Sequence, residues 1–154
     1  MKKRGLYIII IIFLIGLLTA CGSTKVSESY KDLIGSWLLD SRYVDTVPQK
    51  TAMIILDFKS DETVDIYEYI PTEEQPATVF RADAAVPDKS TFTLKETSPV
   101  AVKGNAISYQ YQGNTIEATF SVDLNSMSVH MYIQNEEGRI IHDIYKTADK
   151  EKRP

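Results

Sequence analysis

Residues 105–147 alternate apolar and polar side chains over four consecutive segments. Strict alternation is typical of a β-strand that buries one face and exposes the other. Short polar turns separate the segments at 113–114, 123–126 and 135–138. The pattern therefore predicts four antiparallel strands, joined in chain order, that share one buried face. The residues predicted to point inward are Ile107, Tyr109, Tyr111, Ile116, Ala118, Phe120, Val122, Met127, Val129, Met131, Ile133, Ile140, His142 and Ile144.

The turn lengths predict which inward residues lie opposite one another. Two-residue hairpin turns at glycine and asparagine suit the twist of paired strands. In every predicted pair both residues come from the apolar set, and a one-residue slip would expose them all to water. The predicted pairs are Tyr111–Ile116, Tyr109–Ala118, Ile107–Phe120, Phe120–Val129, Ala118–Met131, Ile133–Ile140 and Met131–His142.

The first half of the chain also consists of short strand patterns. No alternation of strands with helices occurs, so a parallel sheet is not expected. The whole pattern predicts an all-β fold, an up-and-down antiparallel meander of about eight to ten strands that removes its edges by closing into a barrel. An eight-stranded barrel is either filled by side chains or holds one small ligand. The predicted upstream strands cover residues 36–44, 52–58, 63–70, 78–83, 91–95 and 100–102.

The N-terminus has the layout of a secretory signal. Lys2, Lys3 and Arg4 precede an apolar segment, residues 6–20, that is predicted to be helical and is shorter than the ~20 residues needed to span a bilayer. The stretch Leu18-Thr19-Ala20-Cys21 resembles the lipobox of bacterial lipoproteins.

The resemblance implies cleavage before Cys21, which then carries a diacylglycerol and a palmitate chain. Several acyl chains hold a protein on a membrane where a single chain does not. The protein is therefore expected on the extracytoplasmic face of a bacterial cell envelope. The predicted organisation is a signal peptide (1–20), a lipidated cysteine and flexible tether (21–29), a barrel domain (30–147) and a charged tail (148–154).

Charge and cysteine content exclude several functions. Residues 21–154 carry 14 Lys+Arg and 21 Asp+Glu, a net charge of −7. An acidic domain lacks the basic surface that nucleic acids require. Cys21 is the only cysteine, which excludes a disulfide, a cysteine metal site or a thiol nucleophile in the folded domain.

A second resemblance rests on Gly35-Ser36-Trp37, which follows a predicted helical turn at 29–34 and lies on the first strand. This triplet is similar to the Gly-X-Trp signature of lipocalins and lipocalin-like bacterial domains, and the resemblance covers about residues 30–147. It implies that Trp37 closes one end of the barrel, with Gly35 and Trp37 in structural roles.

Four residues are candidates for ligand binding inside the barrel: Tyr109, Tyr111, Met131 and His142. If the barrel is open, tyrosine hydroxyls can hydrogen-bond a ligand and methionine provides an adaptable wall. If it is filled, the same residues form the core. The sequence leaves both alternatives open.

The remaining polar residues do not indicate catalysis. His130 is predicted to face outward beside Asp143, on the opposite side of the sheet from His142, so no shared metal site is expected. No nucleophile elbow, P-loop or dinucleotide fingerprint is present. The acidic residues of 57–68 are interpreted as a solvated surface. Neither an enzyme nor a cofactor is predicted.

Two functions are compatible with these features. In the first, the barrel binds a small amphipathic ligand or senses a component of the envelope. In the second, a filled barrel acts as an accessory factor that binds another envelope protein.

Overall fold

A computed structural model describes residues 28–69 and 89–148. Within these ranges the chain is almost entirely β-structure, which confirms the predicted all-β fold, and no helix there is long and apolar enough to cross a bilayer. The signal segment, Cys21, the predicted strand at 78–83 and most of the tail lie outside the described residues. The elements are α1 (Glu28–Lys31), β1 (Gly35–Val44), β2 (Val47–Gln49), β3 (Ile54–Phe58), β4 (Thr63–Tyr69), a 3-10 helix (Lys89–Thr91), β5 (Phe92–Pro99), β6 (Ala101–Lys103), β7 (Ala106–Tyr111), β8 (Asn114–Asp123), β9 (Ser128–Gln134) and β10 (Ile140–Thr147).

The strands form one antiparallel sheet in the order β5-β4-β3-β1-β10-β9-β8-β7-β6, with β2 paired to β1. Apart from β2, neighbours in the sheet follow one another in the chain, with one exception. The last strand, β10, returns to pair with β1, so that Trp37 lies opposite Thr147. This is the predicted up-and-down meander.

The barrel closes where β5 continues into β6. Only Val100 separates these strands, yet β5 pairs with β4 and β6 pairs with β7. Along the rest of the seam, bonds from backbone to side chain replace backbone pairing: the backbone N–H of Gln110 donates to Ser98 Oγ (2.8 Å), and the backbone N–H of Gln112 donates to Glu96 Oε2 (2.7 Å). The result is a nearly closed barrel.

The segment before β1 fills one end of the barrel. Tyr30, Leu33 and Trp37 are buried together there. The indole Nε1 of Trp37 donates to the Leu33 carbonyl (2.7 Å), and the Tyr30 hydroxyl donates to the Lys59 carbonyl (2.7 Å). Gly35 has a φ of 134°, a conformation that glycine adopts without strain. The short α1 turn and Trp37 thus occupy what we call the plugged end.

The first two predicted registers are wrong by two residues, which leaves every side chain on its predicted face. The turn between β7 and β8 lies at Gln112-Gly113, one residue earlier than predicted, so Tyr109 pairs with Ile116. In the next hairpin Phe120 pairs with Met131. Because side chains alternate with a period of two, a shift of two preserves the buried face.

The register between β9 and β10 is wrong by one residue, and this reverses β10. Asn135 organises a five-residue loop, 135–139, in which its side-chain oxygen accepts hydrogen bonds from two backbone amides (2.9 and 3.1 Å). His142 therefore pairs with Tyr132 on the outer face, and Asp143 points inward. The prediction that His142 faces the interior beside Met131 is wrong for this reason.

A second, smaller apolar cluster lies on the outer face of β1, β3, β4 and β5, built from Leu38, Ile55, Tyr69 and Phe92. Beside it Asp57 is only 6% exposed and accepts hydrogen bonds from Ser36, Lys59 and Lys89. The interpretation of the acidic residues as a solvated surface is wrong for Asp57. Burial alone raises the pKa of its carboxyl, but these three donors outweigh burial and lower the pKa.

Candidate functional site

An arginine–aspartate pair lies on the inner side of the barrel, at the end opposite the plugged end. Arg42 of β1 and Asp143 of β10 are register partners. The guanidinium donates from Nε to Oδ1 and from Nη2 to Oδ2, both at 2.6 Å. The Asp143 side chain is fully buried, whereas that of Arg42 keeps 32% of its surface exposed. Such a bidentate, charge-assisted hydrogen-bonded pair is among the stronger polar interactions in proteins.

A β-bulge explains why Arg42 points inward. The pairing of β1 with β10 shifts between Leu39 and Ser41, so one extra residue, Asp40, interrupts the alternation. Leu39 and Arg42 consequently lie on the same, inner face. Bulges of this kind commonly re-aim a side chain.

Two tyrosines complete the polar group around the pair. The Tyr145 hydroxyl donates to Asp143 Oδ2 at 3.5 Å. Burial, and then the nearby Asp143 carboxylate, raise the pKa of Tyr109, and burial raises the pKa of Tyr145 well above its ordinary value. Both phenols therefore stay neutral and able to donate hydrogen bonds.

The cavity beside this polar group is small, about 50 Å³. Ligand pockets usually measure about 300–1,000 Å³. A space this size accommodates water or a single small functional group. Its lining residues are Arg42, Ile54, Leu56, Ile66, Tyr109, Tyr111, Ile116, Ile133, Asp143 and Tyr145.

The predicted ligand-binding residues separate into three groups. Tyr109 and Tyr111 line the small cavity, and the Tyr111 hydroxyl also donates to Glu68. Met131 is buried in the barrel core. His142 lies outside the barrel altogether. A ligand role for the two tyrosines stays a prediction, and no pattern in the sequence revealed the Arg42–Asp143 pair beside them.

A larger depression, about 520 Å³, lies on the outer face of β6–β9. We call it the outer groove. Two cross-strand rows form its floor, Lys103–Ala106–Thr119–Tyr132 and Ala101–Ser108–Glu117, and Gln134 also lines it. The floor combines small and aromatic side chains with one positive and one negative charge, and its volume falls within the range of ligand pockets.

The first row of the groove continues into the histidine pair. The Tyr132 ring stacks on that of His142, with centroids 4.4 Å apart and planes 12° apart, and Tyr43 lies on the other side at 6.1 Å. His130 Nδ1 and His142 Nε2 are 3.0 Å apart. Burial, followed by the charge of His130, lowers the pKa of His142. The predictions that the histidines point to opposite sides, and that His130 lies beside Asp143, are therefore wrong.

Comparisons with known proteins do not assign the chain to a family. No protein-family description matches the sequence, and no curated protein matches it. Among solved structures, a mutant of the fluorescent protein UnaG is similar, at 10% identity over 78% of this chain and 99% of that chain, with a TM-score of 0.42. A likeness this distant has no bearing on function. The strand order and register by themselves define the class: an all-β protein with an up-and-down antiparallel barrel.

Proposed function

We propose that the protein is an exported lipoprotein whose barrel acts as a binding module on the outer side of a bacterial cell envelope. The lipobox-like stretch ending at Cys21 supports export and anchoring. Because α1 begins at residue 28 and packs at the plugged end, the chain from Cys21 enters the barrel at that end.

Replacing Cys21 with alanine is expected to release the protein from the membrane. The wild-type chain should sediment with membranes and enter solution only with detergent, because its acyl chains bury many CH₂ groups at ~0.8 kcal/mol each. Fractionation followed by intact-mass analysis measures both location and lipid. Ser23→Ala serves as the control and should behave like wild type. If Cys21→Ala also sediments with membranes and enters solution only with detergent, Cys21 is not the anchor.

We propose the outer groove as the binding surface because of its volume. The interior cavity, at about 50 Å³, is too small for a typical ligand, whereas the groove measures about 520 Å³. The groove also presents an exposed Tyr132, and tyrosine is enriched where proteins bind partners. We therefore place binding of an envelope component in the outer groove, with the filled barrel as its rigid support.

A second candidate function is favoured by Arg42. Its guanidinium uses two of five N–H groups on Asp143, and the Arg42 side chain as a whole keeps 32% of its surface exposed. Ile54, Ile116 and Ile133 are partly buried around the same end of the barrel. A small amphipathic ligand with an anionic end group would place that group near Arg42, where the cavity accommodates a single functional group, and its apolar part would remain outside this cavity.

Native mass spectrometry of the detergent-solubilised full chain, after incubation with envelope extract, tests both candidates. An added mass is expected on wild type, and Thr119→Arg, which places a long charged side chain in the middle of the groove floor, should abolish it. Thr93→Arg introduces the same side chain at an exposed position of β5 and should leave the added mass unchanged.

The alternative outcomes separate the candidates. An added mass below ~1 kDa that persists in Thr119→Arg and is released on denaturation favours the ligand at Arg42. A bare mass with every extract contradicts the binding module in both forms.

A further inference from the structure

A continuous chain of hydrogen bonds runs along the outer face from Asp123 to His142. Ser126 Oγ donates to Asp123 Oδ2 (2.7 Å), and Ser126 Oγ and Ser128 Oγ are 2.7 Å apart. Ser128 Oγ lies 3.3 Å from His130 Nε2. His130 Nδ1 then lies 3.0 Å from His142 Nε2. The only two histidines of the sequence therefore sit at one end of a polar chain that begins at a carboxylate.

The number of available protons determines which group donates in each hydrogen bond from Asp123 to His142. Each serine hydroxyl has one proton to donate. Ser126 gives its proton to the Asp123 carboxylate, so the proton between the two serines belongs to Ser128. Ser128 can then only accept from His130, which must carry its proton on Nε2. In the neutral ring, His130 Nδ1 is consequently an unprotonated acceptor.

This is the arrangement that orients a histidine for metal binding. A metal-ligating histidine usually donates its other ring N–H to an oxygen, which fixes the tautomer and the ring position. His130 meets that condition through Ser128, a residue that is itself 1% exposed and held by the chain to Asp123. Its free Nδ1 is directed at the ring nitrogen of His142.

The spacing of the two nitrogens suits a shared ion. Nitrogens about 2.0–2.1 Å from one metal, at angles of about 90–110°, lie about 2.8–3.4 Å apart. His130 Nδ1 and His142 Nε2 are separated by 3.0 Å. We propose that these two histidines form a surface site for one divalent transition-metal ion. The ion takes the place of the proton between them, and that proton moves through water from His142 Nε2 to His142 Nδ1, so that both rings stay neutral as they turn their lone pairs toward the ion.

Imidazole ligands favour Cu²⁺, Zn²⁺ and Ni²⁺ among the divalent ions, with Cu²⁺ bound most tightly. Among the described residues, no group of three or more histidine, cysteine or acidic side chains comes together. The ion therefore keeps coordination positions for water or for a donor group from outside. The site adjoins Tyr132, at the edge of the outer groove, but it does not depend on the groove binding anything.

Neighbouring side chains keep the two rings close to each other. His142 is stacked on Tyr132 at 4.4 Å, and Tyr43 lies at 6.1 Å on its other side. His130 is held by Ser128. Because both histidines are partly exposed and lie on adjacent strands, an ion reaches them without any strand moving.

The test is isothermal titration of the untagged full-length chain in detergent with ZnCl₂ and with CuCl₂, since a polyhistidine tag would bind the same ions. One ion per chain is expected. His130→Gln and His142→Gln should each weaken binding at least tenfold. Ser128→Ala, which removes only the orienting acceptor, should weaken it about 10- to 100-fold. Ser60→Ala, in the exposed turn between β3 and β4, is the matched control and should bind like wild type.

A second measurement uses the wild-type chain alone and so does not depend on any variant folding. Substoichiometric Zn²⁺ should shift the imidazole ¹⁵N resonances of both histidines together, and EDTA should reverse the shift. The site is overturned if no saturable binding is measured, if only one histidine responds, or if either glutamine variant binds with wild-type affinity.

Discussion

Replacing Trp37 with alanine is expected to lower the free energy of unfolding by about 3–5 kcal/mol, because the substitution empties a large volume in the plugged end. Trp37 is 4% exposed and lies on the central strand, where it pairs with Leu56 on one side and Thr147 on the other. Its indole also satisfies the Leu33 carbonyl, which holds the segment preceding β1 against the barrel. Urea unfolding followed by circular dichroism measures the change.

Leu124→Ala provides the control for this experiment. Leu124 is 60% exposed, so its truncation should change the free energy of unfolding by no more than about 0.5 kcal/mol. Equal urea midpoints for Trp37→Ala and wild type would show that Trp37 does not hold the plugged end.

Arg42→Ala should destabilise the barrel by about 3 kcal/mol, since it leaves the fully buried carboxylate of Asp143 without its partner. Removing one member of a buried ion pair typically costs about 3–5 kcal/mol, and the lower end applies because Arg42 is itself partly exposed. The double variant Arg42→Met/Asp143→Leu replaces both charges with apolar groups and should recover most of the lost stability. The urea midpoints of wild type and the two variants measure both effects.

The chain contains a matched surface pair for comparison. Arg139 Nε donates to Asp45 Oδ2 at 2.8 Å, with both side chains about half exposed. Exposed ion pairs contribute little to stability, so Arg139→Ala should unfold close to wild type. If Arg42→Ala and Arg139→Ala unfold at the same urea concentration, the Arg42–Asp143 pair does not behave as a buried ion pair.

The sequence predicts the meander well where one face of a strand is apolar and the other polar. In β8, Ala118 and Phe120 alternate with Glu117 and Thr119, and a mispredicted turn moved the pairing by two residues without exposing a core residue. The hydrophobic pattern determines the face, whereas the turn geometry determines the pairing partner. Only the first of these can be read reliably from the pattern of residues.

In β10 the pattern is ambiguous because both faces carry apolar residues. Ile140 and Ile144 alternate with Ile141 and Tyr145. A register shifted by one residue therefore still places apolar side chains on the inner face. The deciding interactions, those of the Asn135 loop, are local hydrogen bonds that alternation does not reveal.

The inner polar pair was missed for two separate reasons. The bulge at Asp40 breaks the period of two that places Trp37 and Leu39 inside, and uninterrupted alternation would place Arg42 outside. Its partner Asp143 lies 101 residues away in the sequence. A charge is expected at the surface unless its partner is known, and no sequence pattern joins two residues so far apart.

The pairing of β1 with β10 also governs when the fold can be completed. Trp37 and Thr147 stand at nearly opposite ends of the described chain, so the central strand of the sheet lacks one neighbour until the last strand has formed. Closing so long a loop costs chain entropy before the contacts between the two strands form and stabilise it. Barrels with such distant pairings are therefore slow to fold. A chain with this topology leaves one edge of its central strand unpaired for as long as its final eight-residue strand has not formed.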